Sequence, residues 1–421
     1  MRRIEIPLSA VEKHEDLLGK VILQFLDRLA KGQRVSWTVR ENNETGKRSR
    51  KRRNAREKIL SLVGSVKCVE YWKWILTQFR DHHILTAKPG CLAAFAIENA
   101  KRFGALKSNR GIGLSKEQSA VLEVVGRLFS YSSFRDGMVL LAPDGDNYNI
   151  QWFRANESSA TRKSEKTKHH ESEFASWGGW GISEFVRLLD VRYCPYCNAE
   201  TVGTARMSGG DFVSDIDHIF PKSVYPLLSL SLYNLVPACN RCNSRFKKEY
   251  DMLAGWNGIG DIPALHPYVH HVCKHIRFDY DPISLDNLYL KPHSVDPSYV
   301  SPLSVSAVNA SAAKQRRGED FISGYHLDEI YSDLYSEEIN EAIRMEALCS
   351  PKFVESMGKL YGVDEDDFDR LFRRTSLDPR EINHYRFAKL IGDLHATICI
   401  DQTDERKEQI IEKLKSRFGL V

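Results

Sequence analysis

One short segment, from Asp215 to Lys247, carries residues whose types and spacing could perform chemistry. It contains an aspartate–histidine pair and two spaced asparagines, namely Asp217, His218, Asn234 and Asn243. A neutral imidazole can take a proton from a water molecule that attacks phosphorus. Carboxylate and amide oxygens are the ligands that a hard cation such as Mg²⁺ prefers. The set therefore predicts hydrolysis of a phosphodiester bond with Mg²⁺ or Mn²⁺ as the catalytic ion.

The same segment holds the second of two Cys-x-x-Cys pairs, which together offer four thiolates: Cys194, Cys197, Cys239 and Cys242. Two such pairs match the ligand set of a tetrahedral structural zinc site. The stretch between the pairs exceeds the usual zinc-ribbon spacing, so the reactive residues form an insert within the zinc-clamped loop. A zinc site that only folds the chain, with incidental polar residues nearby, is the alternative interpretation.

A strand and a helix must position these side chains. Asp217 and His218 are adjacent, and adjacent side chains on a β-strand point to opposite faces. Both can serve one site only if the backbone twists or if the phosphate lies at the end of the strand. A helix that starts at "CNRCN" then returns Asn243 to the same neighbourhood.

The segments "CPYC", "DIDHIFPKS" and "YNLVPACNRCNSRFK" resemble the HNH endonuclease superfamily, in the subset that carries a four-cysteine zinc. The resemblance implies a ββα-metal fold in which His218 is the general base. It further implies that Asp217 and Asn243 hold the divalent cation, and that Asn234 fixes the imidazole through the loop backbone. The four cysteines would then hold a structural Zn²⁺.

A broader resemblance extends over about residues 180 to 400 and includes "LHPY" and "RFAKLIGDLH". These segments look like bacterial HNH proteins of phage-defence loci, among them retron-associated and Septu-type nucleases. Such proteins act beside an ATPase, so the resemblance implies a separate ATPase or another defence-system subunit as a partner. The chain contains no G-x-x-x-x-G-K-[ST] sequence, which agrees with a nucleotide-binding site on a different chain.

DNA is the expected substrate, and basic side chains are the expected contacts with its phosphates. We assign this role to Lys222 and Lys247 near the motif, and to Arg50 and Arg52 in the basic run "KRSRKRRNAREK". The alternative for Lys247 is a solvated lysine. The alternative for the basic run is a solvated helix face or loop.

Two other functions stay open at the level of sequence. The site contacts only backbone phosphate, so the chain could instead be an RNA-cleaving toxin. It could also be a non-catalytic, zinc-stabilised module that binds nucleic acid or assembles a complex. The complete set of aspartate, histidine and asparagines argues against this second alternative, because a pure binder needs no general base.

Composition is typical of a soluble globular protein, with 42% hydrophobic and 28% charged residues among 421. The net charge of +4 is too small to name a partner. No apolar run reaches the roughly 18 residues that span a bilayer, and acidic residues interrupt the N-terminal segment, so we expect a cytoplasmic protein without membrane association. The nine cysteines suit a reducing compartment better than a disulfide scaffold.

Periodicity and the resemblance together predict an α+β protein that is mainly α-helical, with a central ββα-metal core braced by the zinc. We expect an α-rich domain at residues 1–155, a linker at 156–175, the nuclease domain at 176–285 and a helical domain at 286–421. Within these, Ser115 is a predicted N-cap, "MVLLAPDGDNYNIQWF" a predicted hairpin and Asp404 the predicted start of a last helix.

Overall fold

The structure is a computed structural model of the chain. It describes residues 1–33, 35–37, 62–104, 106, 113–143, 149–154, 180–207, 211–248, 250–251, 253, 262, 264–280, 303–308, 311–348, 351–397, 412 and 416. The predicted linker, the basic run with Arg50 and Arg52, and the helix predicted to start at Asp404 lie outside this description.

The described secondary structure is mainly helical. The α-helices are α1 (Leu8–His14), α2 (Lys20–Ala30), α3 (Val66–Asp81), α4 (Pro89–Phe103), α5 (Lys116–Leu128), α6 (Tyr131–Arg135), α7 (Ile182–Leu188), α8 (Ala312–Tyr325), α9 (Leu327–Glu329), α10 (Ser336–Leu348), α11 (Pro351–Tyr361), α12 (Glu365–Phe368) and α13 (Ala388–His395). The described π-helical segments are Glu15–Gly19, Ile330–Leu334 and Asp369–Arg373, which follow α-helices, and Arg241–Lys247, which follows a strand. Short 3₁₀ turns cover Pro226–Leu228, Leu232–Asn234, Val272–Lys274 and Ile382–His384.

The strands form small antiparallel pairs. They are β1 (Met138–Leu140), β2 (Trp152–Arg154), β3 (Thr204–Ala205), β4 (Phe212–Val213), β5 (Ile216–His218), β6 (Leu235–Pro237), β7 (Ile276–Tyr280) and β8 (Leu303–Ala307). Each odd strand pairs with the next even one in a two-stranded sheet. The structure therefore confirms a mainly α-helical α+β fold.

Two local predictions in the N-terminal region are confirmed. Ser115 caps α5 with a full capping box, in which its hydroxyl accepts the Gln118 amide and the Gln118 side chain accepts the Ser115 amide. The predicted hairpin exists as β1 paired with β2, with Val139 opposite Phe153. Residues 144–148 in its turn lie outside the described ranges.

The site depends on a strand–strand–helix unit in the middle of the chain. Strand β5 pairs with β6, so that Asp217 lies opposite Val236 and His218 opposite Leu235. The π-helical segment Arg241–Lys247, called the motif helix below, follows β6 after three residues. The Asn240 amide and the Ser244 hydroxyl both donate to Oδ2 of Asp215, at 2.8 and 3.4 Å, and these bonds tie the motif helix to the start of β5.

Packing crosses the predicted domain limits. All the described buried hydrophobic residues except Phe368 form one contiguous cluster that runs from Met1 to Leu394. Hydrogen bonds also connect the three predicted domains. The Asn383 side chain accepts the Arg2 amide at 2.9 Å, and the Asn383 carbonyl accepts the Tyr193 amide at 3.1 Å. The division into domains stays a prediction.

The described helices are too short or too polar to cross a membrane. None of them combines the length and the apolar character that crossing a bilayer requires.

Candidate functional site

The four motif cysteines converge on one point. Their sulfur atoms all lie within 4.8 Å of one another, and all four residues are buried. Cys197 Sγ and Cys239 Sγ are 3.9 Å apart, which is close to the ~3.8 Å expected between sulfurs that bind one tetrahedral Zn²⁺ at about 2.3 Å. The residues therefore fit a metal such as zinc, as the sequence predicts.

The first cysteine pair, Cys194 and Cys197, lies in a tight turn that we call the zinc knuckle and that ends at Asn198. This residue adopts a left-handed conformation with φ of 57°, and its amide donates to the Cys194 carbonyl at 2.7 Å. Its buried side chain donates to the carbonyls of Ile382 and Tyr385, at 2.9 and 3.2 Å. The Tyr331 hydroxyl donates to the Cys197 carbonyl. The C-terminal helical region therefore holds the knuckle from outside.

Asp217 is linked directly to this knuckle. The hydroxyl of Tyr196, which lies between Cys194 and Cys197, donates to Asp217 Oδ2 at 2.5 Å. Lys247 Nζ donates to Asp217 Oδ1 at 2.9 Å. Only 1% of Asp217 is exposed. Each of its carboxylate oxygens accepts a hydrogen bond from a protein donor. Tyr196 is a site residue that sequence reasoning missed, although its place within "CPYC" was a usable signal.

Lys247 is buried, so its interpretation as a solvated lysine is wrong. Its ammonium also donates to the His218 carbonyl at 2.9 Å, and 3% of the residue is exposed. A buried ammonium requires a close partner of opposite charge, and Asp217 is that partner at 2.9 Å. The predicted contact of Lys247 with a substrate phosphate stays a prediction, because in this arrangement the ammonium faces Asp217.

His218 is held on the other side of β5. Its Nε2 lies 3.1 Å from the Ser229 carbonyl oxygen, which can only accept a hydrogen bond. Nε2 therefore carries the proton, and Nδ1 of the neutral ring keeps its lone pair. Burial, followed by the positive charge of Lys222, lowers the pKa of His218 to about 3. The imidazole is therefore neutral at physiological pH, with an unprotonated Nδ1.

Asn234 organises the loop that carries Ser229. Its Oδ1 accepts the Phe220 amide at 2.7 Å, while its Nδ2 donates to the carbonyls of Phe220 and Leu228 at 3.1 and 2.9 Å. The side chain is completely buried. Asn234 thus ties the start of the loop to its end, next to the carbonyl that orients His218. This is the geometry expected of a residue that fixes the imidazole through the loop backbone.

Asn243 and Lys222 are the more exposed members of the predicted set. Asn243 lies half-buried on the motif helix, and its carbonyl accepts the Lys248 amide at 3.0 Å in a wide π-type turn. Lys222 is exposed on the loop after β5, with its ammonium 4.7 Å from the centroid of the Tyr131 ring. The roles assigned to both residues stay predictions, as do those of Arg50 and Arg52.

Comparison with known proteins adds one similarity. The chain is 27% identical over 105 residues to Septu protein PtuB of Bacillus thuringiensis. The matched segment is 25% of this chain and 35% of that protein, so it spans about a third of the relative's length. No protein-family model matches the chain, and no solved structure matches it.

Proposed function

We propose that the chain is a metal-dependent endonuclease of the HNH type that hydrolyses phosphodiester bonds of DNA in bacterial anti-phage defence. The observation that carries the proposal is the held, neutral imidazole of His218, with Asn234 clamping the loop that orients it. A binding or assembly module does not need a general base, and the motif supplies the full set of Asp217, His218, Asn234 and Asn243. The non-catalytic alternative is therefore the less favoured one.

His218 would act as the general base. The Ser229 carbonyl fixes the proton on Nε2, so Nδ1 is the atom that would take a proton from the attacking water. Burial keeps the ring neutral, which means that the acceptor does not have to lose a proton first. General-base catalysis of this kind typically contributes about 10²–10⁴-fold to a rate.

A divalent cation would neutralise charge on the scissile phosphate when bound. Asp217 and Asn243 are the residues that would hold it, and their carboxylate and amide oxygens suit Mg²⁺ or Mn²⁺. The position of Asp217 is less favourable, because Lys247 Nζ lies 2.9 Å from Oδ1 and Tyr196 occupies Oδ2. A cation at Asp217 would have to displace the Lys247 ammonium, which already supplies positive charge there.

The role in defence rests on the similarity to Septu protein PtuB over 105 residues and on the resemblance of the motif segments to HNH proteins of phage-defence loci. A nuclease with a complete catalytic set must be restrained in its own cell. We propose that a separate ATPase or another defence-system subunit provides this control. RNA remains the second candidate substrate, because the proposed chemistry takes place at backbone phosphate.

Substrate and metal requirement can be tested together. The purified, zinc-loaded protein would be incubated with supercoiled plasmid and with total RNA, each with EDTA, Mg²⁺ or Mn²⁺. We expect plasmid cleavage that requires the divalent ion and spares RNA. Cleavage of RNA alone would favour the alternative function, an RNA-cleaving toxin. Absence of cleavage of both substrates, also after co-expression with the products of neighbouring genes, would favour the non-catalytic module.

A further inference from the structure

We propose that helix α6 of the N-terminal region forms one wall of the nuclease site, where Arg135 and Lys222 together clamp the nucleic-acid backbone and Tyr131 orients Lys222. The inference rests on the proposed function for its chemistry, but it assigns a task to residues that the motif does not include. It also gives the N-terminal region a direct role at the substrate.

The wall is defined by contacts around His218. The Tyr131 and His218 rings meet edge to face, with centroids 4.4 Å apart and planes at 82°. The Lys222 ammonium lies 4.7 Å from the Tyr131 ring centroid, which is within cation–π range. Tyr131 therefore touches the proposed general base and also holds the basic side chain next to it.

Helix α6 is anchored firmly enough to act as a wall. The Ser130 hydroxyl caps it by accepting the Ser133 amide. Phe134 is completely buried, and its ring meets those of His14 and Trp180 edge to face at 5.4 and 6.4 Å. A five-residue helix has little stability of its own, so this anchor is what fixes the positions of Tyr131 and Arg135.

The N-terminal region is also bonded to the loop that orients His218. The Ser229 hydroxyl donates to the Phe129 carbonyl at 2.8 Å, while the carbonyl of the same serine accepts from His218. Nearby, the Leu232 amide donates to the Leu85 carbonyl at 2.8 Å. The wall and the loop that orients His218 are thus one packed unit.

Charge makes this wall suitable for phosphate. Arg135 and Lys222 are both exposed. Arg135 lies four residues after Tyr131, and therefore on the same face of α6 as the ring that Lys222 contacts. Partial burial of the Lys222 ammonium, and next the charge of Arg135, lower the pKa of Lys222, as expected of neighbouring cations. Asp136 pairs with Arg135 at 3.3 Å and offsets part of this charge. A phosphodiester backbone would supply further anions to these two cations, with no preference for base sequence.

Binding to catalytically inactive protein tests the clamp. In the His218→Ala background, Arg135→Gln, Lys222→Gln and Tyr131→Leu would be titrated with a fluorescein-labelled DNA duplex and with its single strand as DNA and as RNA, over a range of salt. The matched control is Arg80→Gln, because Arg80 is also exposed and also pairs with the aspartate that follows it, at 2.7 Å, at the end of α3. Circular dichroism would verify that all variants are folded.

We expect Arg135→Gln and Lys222→Gln each to reduce the slope of log affinity against log salt by about 0.9 on duplex, or about 0.7 on single strands. Arg80→Gln should leave the slope unchanged. Tyr131→Leu should weaken binding, and this loss should not add to that of Lys222→Gln, because both changes remove the same oriented ammonium.

Equal slopes for Arg135→Gln and Arg80→Gln would overturn the clamp, and full additivity of Tyr131→Leu with Lys222→Gln would overturn the role of Tyr131. These outcomes are independent of the proposed function, whose failure would appear as absence of cleavage by the unmodified protein. The duplex and single-strand arms identify which form of backbone the clamp prefers.

Discussion

The two faces of strand β5 differ in how they are built. On one face, Asp217 is enclosed by Tyr196 of the zinc knuckle and by the ammonium of Lys247, and almost nothing of it reaches solvent. On the other face, His218 contacts Tyr131 and the loop that carries exposed Lys222. The first face is closed by charge pairing, whereas the second is held by backbone carbonyls and borders exposed cations. One strand therefore separates the enclosed, ion-paired aspartate of the candidate site from the histidine that borders exposed cations.

The largest expected effect is a loss of zinc binding and of folding when a cysteine next to the closed face is replaced. Replacing Cys239 with Ser should abolish zinc binding and unfold the middle of the chain, because binding of a structural zinc is itself folding free energy. Exposed Cys91 provides the matched control, and Cys91→Ser should change neither property. Elemental analysis and thermal unfolding measure both. If the unmodified protein is folded but contains no zinc, the structural role of zinc at the four cysteines is contradicted.

The next largest effect is a difference in the free energy of unfolding between substitutions of Lys247 and Lys222, which lie on opposite sides of β5. Lys247→Met leaves Asp217 buried without its cation, and breaking such a pair costs about 3–5 kcal/mol. Lys222→Met removes an exposed charge and should change the free energy of unfolding by no more than about 0.5 kcal/mol. Denaturant titration of both variants measures the difference. Equal losses would mean that the faces are not distinct.

The same variant examines whether Asp217 can hold a divalent cation. Without the competing ammonium, Mg²⁺ should raise the melting temperature of Lys247→Met more than that of the unmodified protein, because a ligand that binds only the folded state stabilises it. Asp217→Asn in the Lys247→Met background should cancel the increase. If Mg²⁺ affects all three proteins alike, Asp217 is not its ligand.

A smaller effect distinguishes the two asparagines. Asn234→Ala leaves the Phe220 amide and two buried carbonyls without partners, and we expect a loss of about 1–3 kcal/mol. Asn243→Ala, on the half-buried motif helix, should stay within about 0.5 kcal/mol. Cleavage should fall in both variants, through a displaced His218 in the first and through a lost ligand in the second. A stable Asn234→Ala protein would contradict the loop-clamp role.

The smallest effect is a pH dependence set by His14. Its Nε2 donates to the Leu230 carbonyl at 2.9 Å, and its Nδ1 accepts from Trp180 at 3.2 Å. Burial lowers the pKa of His14 to about 4, below its value of 6.5 when unfolded. The stability that it contributes is therefore complete above pH 6.5 and is lost as the pH falls towards 4.

Between pH 7.5 and 5.5, His14→Gln should lose less stability than the unmodified protein by about 1 kcal/mol. The glutamine amide can still donate to Leu230 but cannot titrate. Unfolding at a series of pH values measures this difference. Parallel curves for the two proteins would show that His14 does not take up a proton on unfolding.

Sequence analysis predicted the elements whose signal is local. The paired cysteines, the Ser115 cap and the β1–β2 hairpin depend on short spacings, and the structure confirms that each forms as expected. Asn234 was assigned to the loop backbone through the resemblance, and its three hydrogen bonds agree with that geometry.

Long-range contacts could not be predicted in this way. Tyr131 lies far from His218 in sequence, and the packing of α6 against the loop depends on tertiary contacts that carry no periodic signal. Lys247 was assigned by helical spacing to phosphate, because its burial against Asp217 becomes visible only when the motif helix docks on β5.

One measurement tests the central claim most directly: single-turnover cleavage by His218→Ala compared with His14→Gln. Both histidines are buried, and each donates Nε2–H to neighbouring loop carbonyls, those of Ser229 and Leu230. Only His218 borders the proposed phosphate site. We predict that His218→Ala reduces the rate by about 10²–10⁴-fold with zinc content and nucleic-acid binding retained, while His14→Gln stays within about tenfold of the unmodified protein. Equal rates for the two variants would contradict the assignment of His218 as the general base.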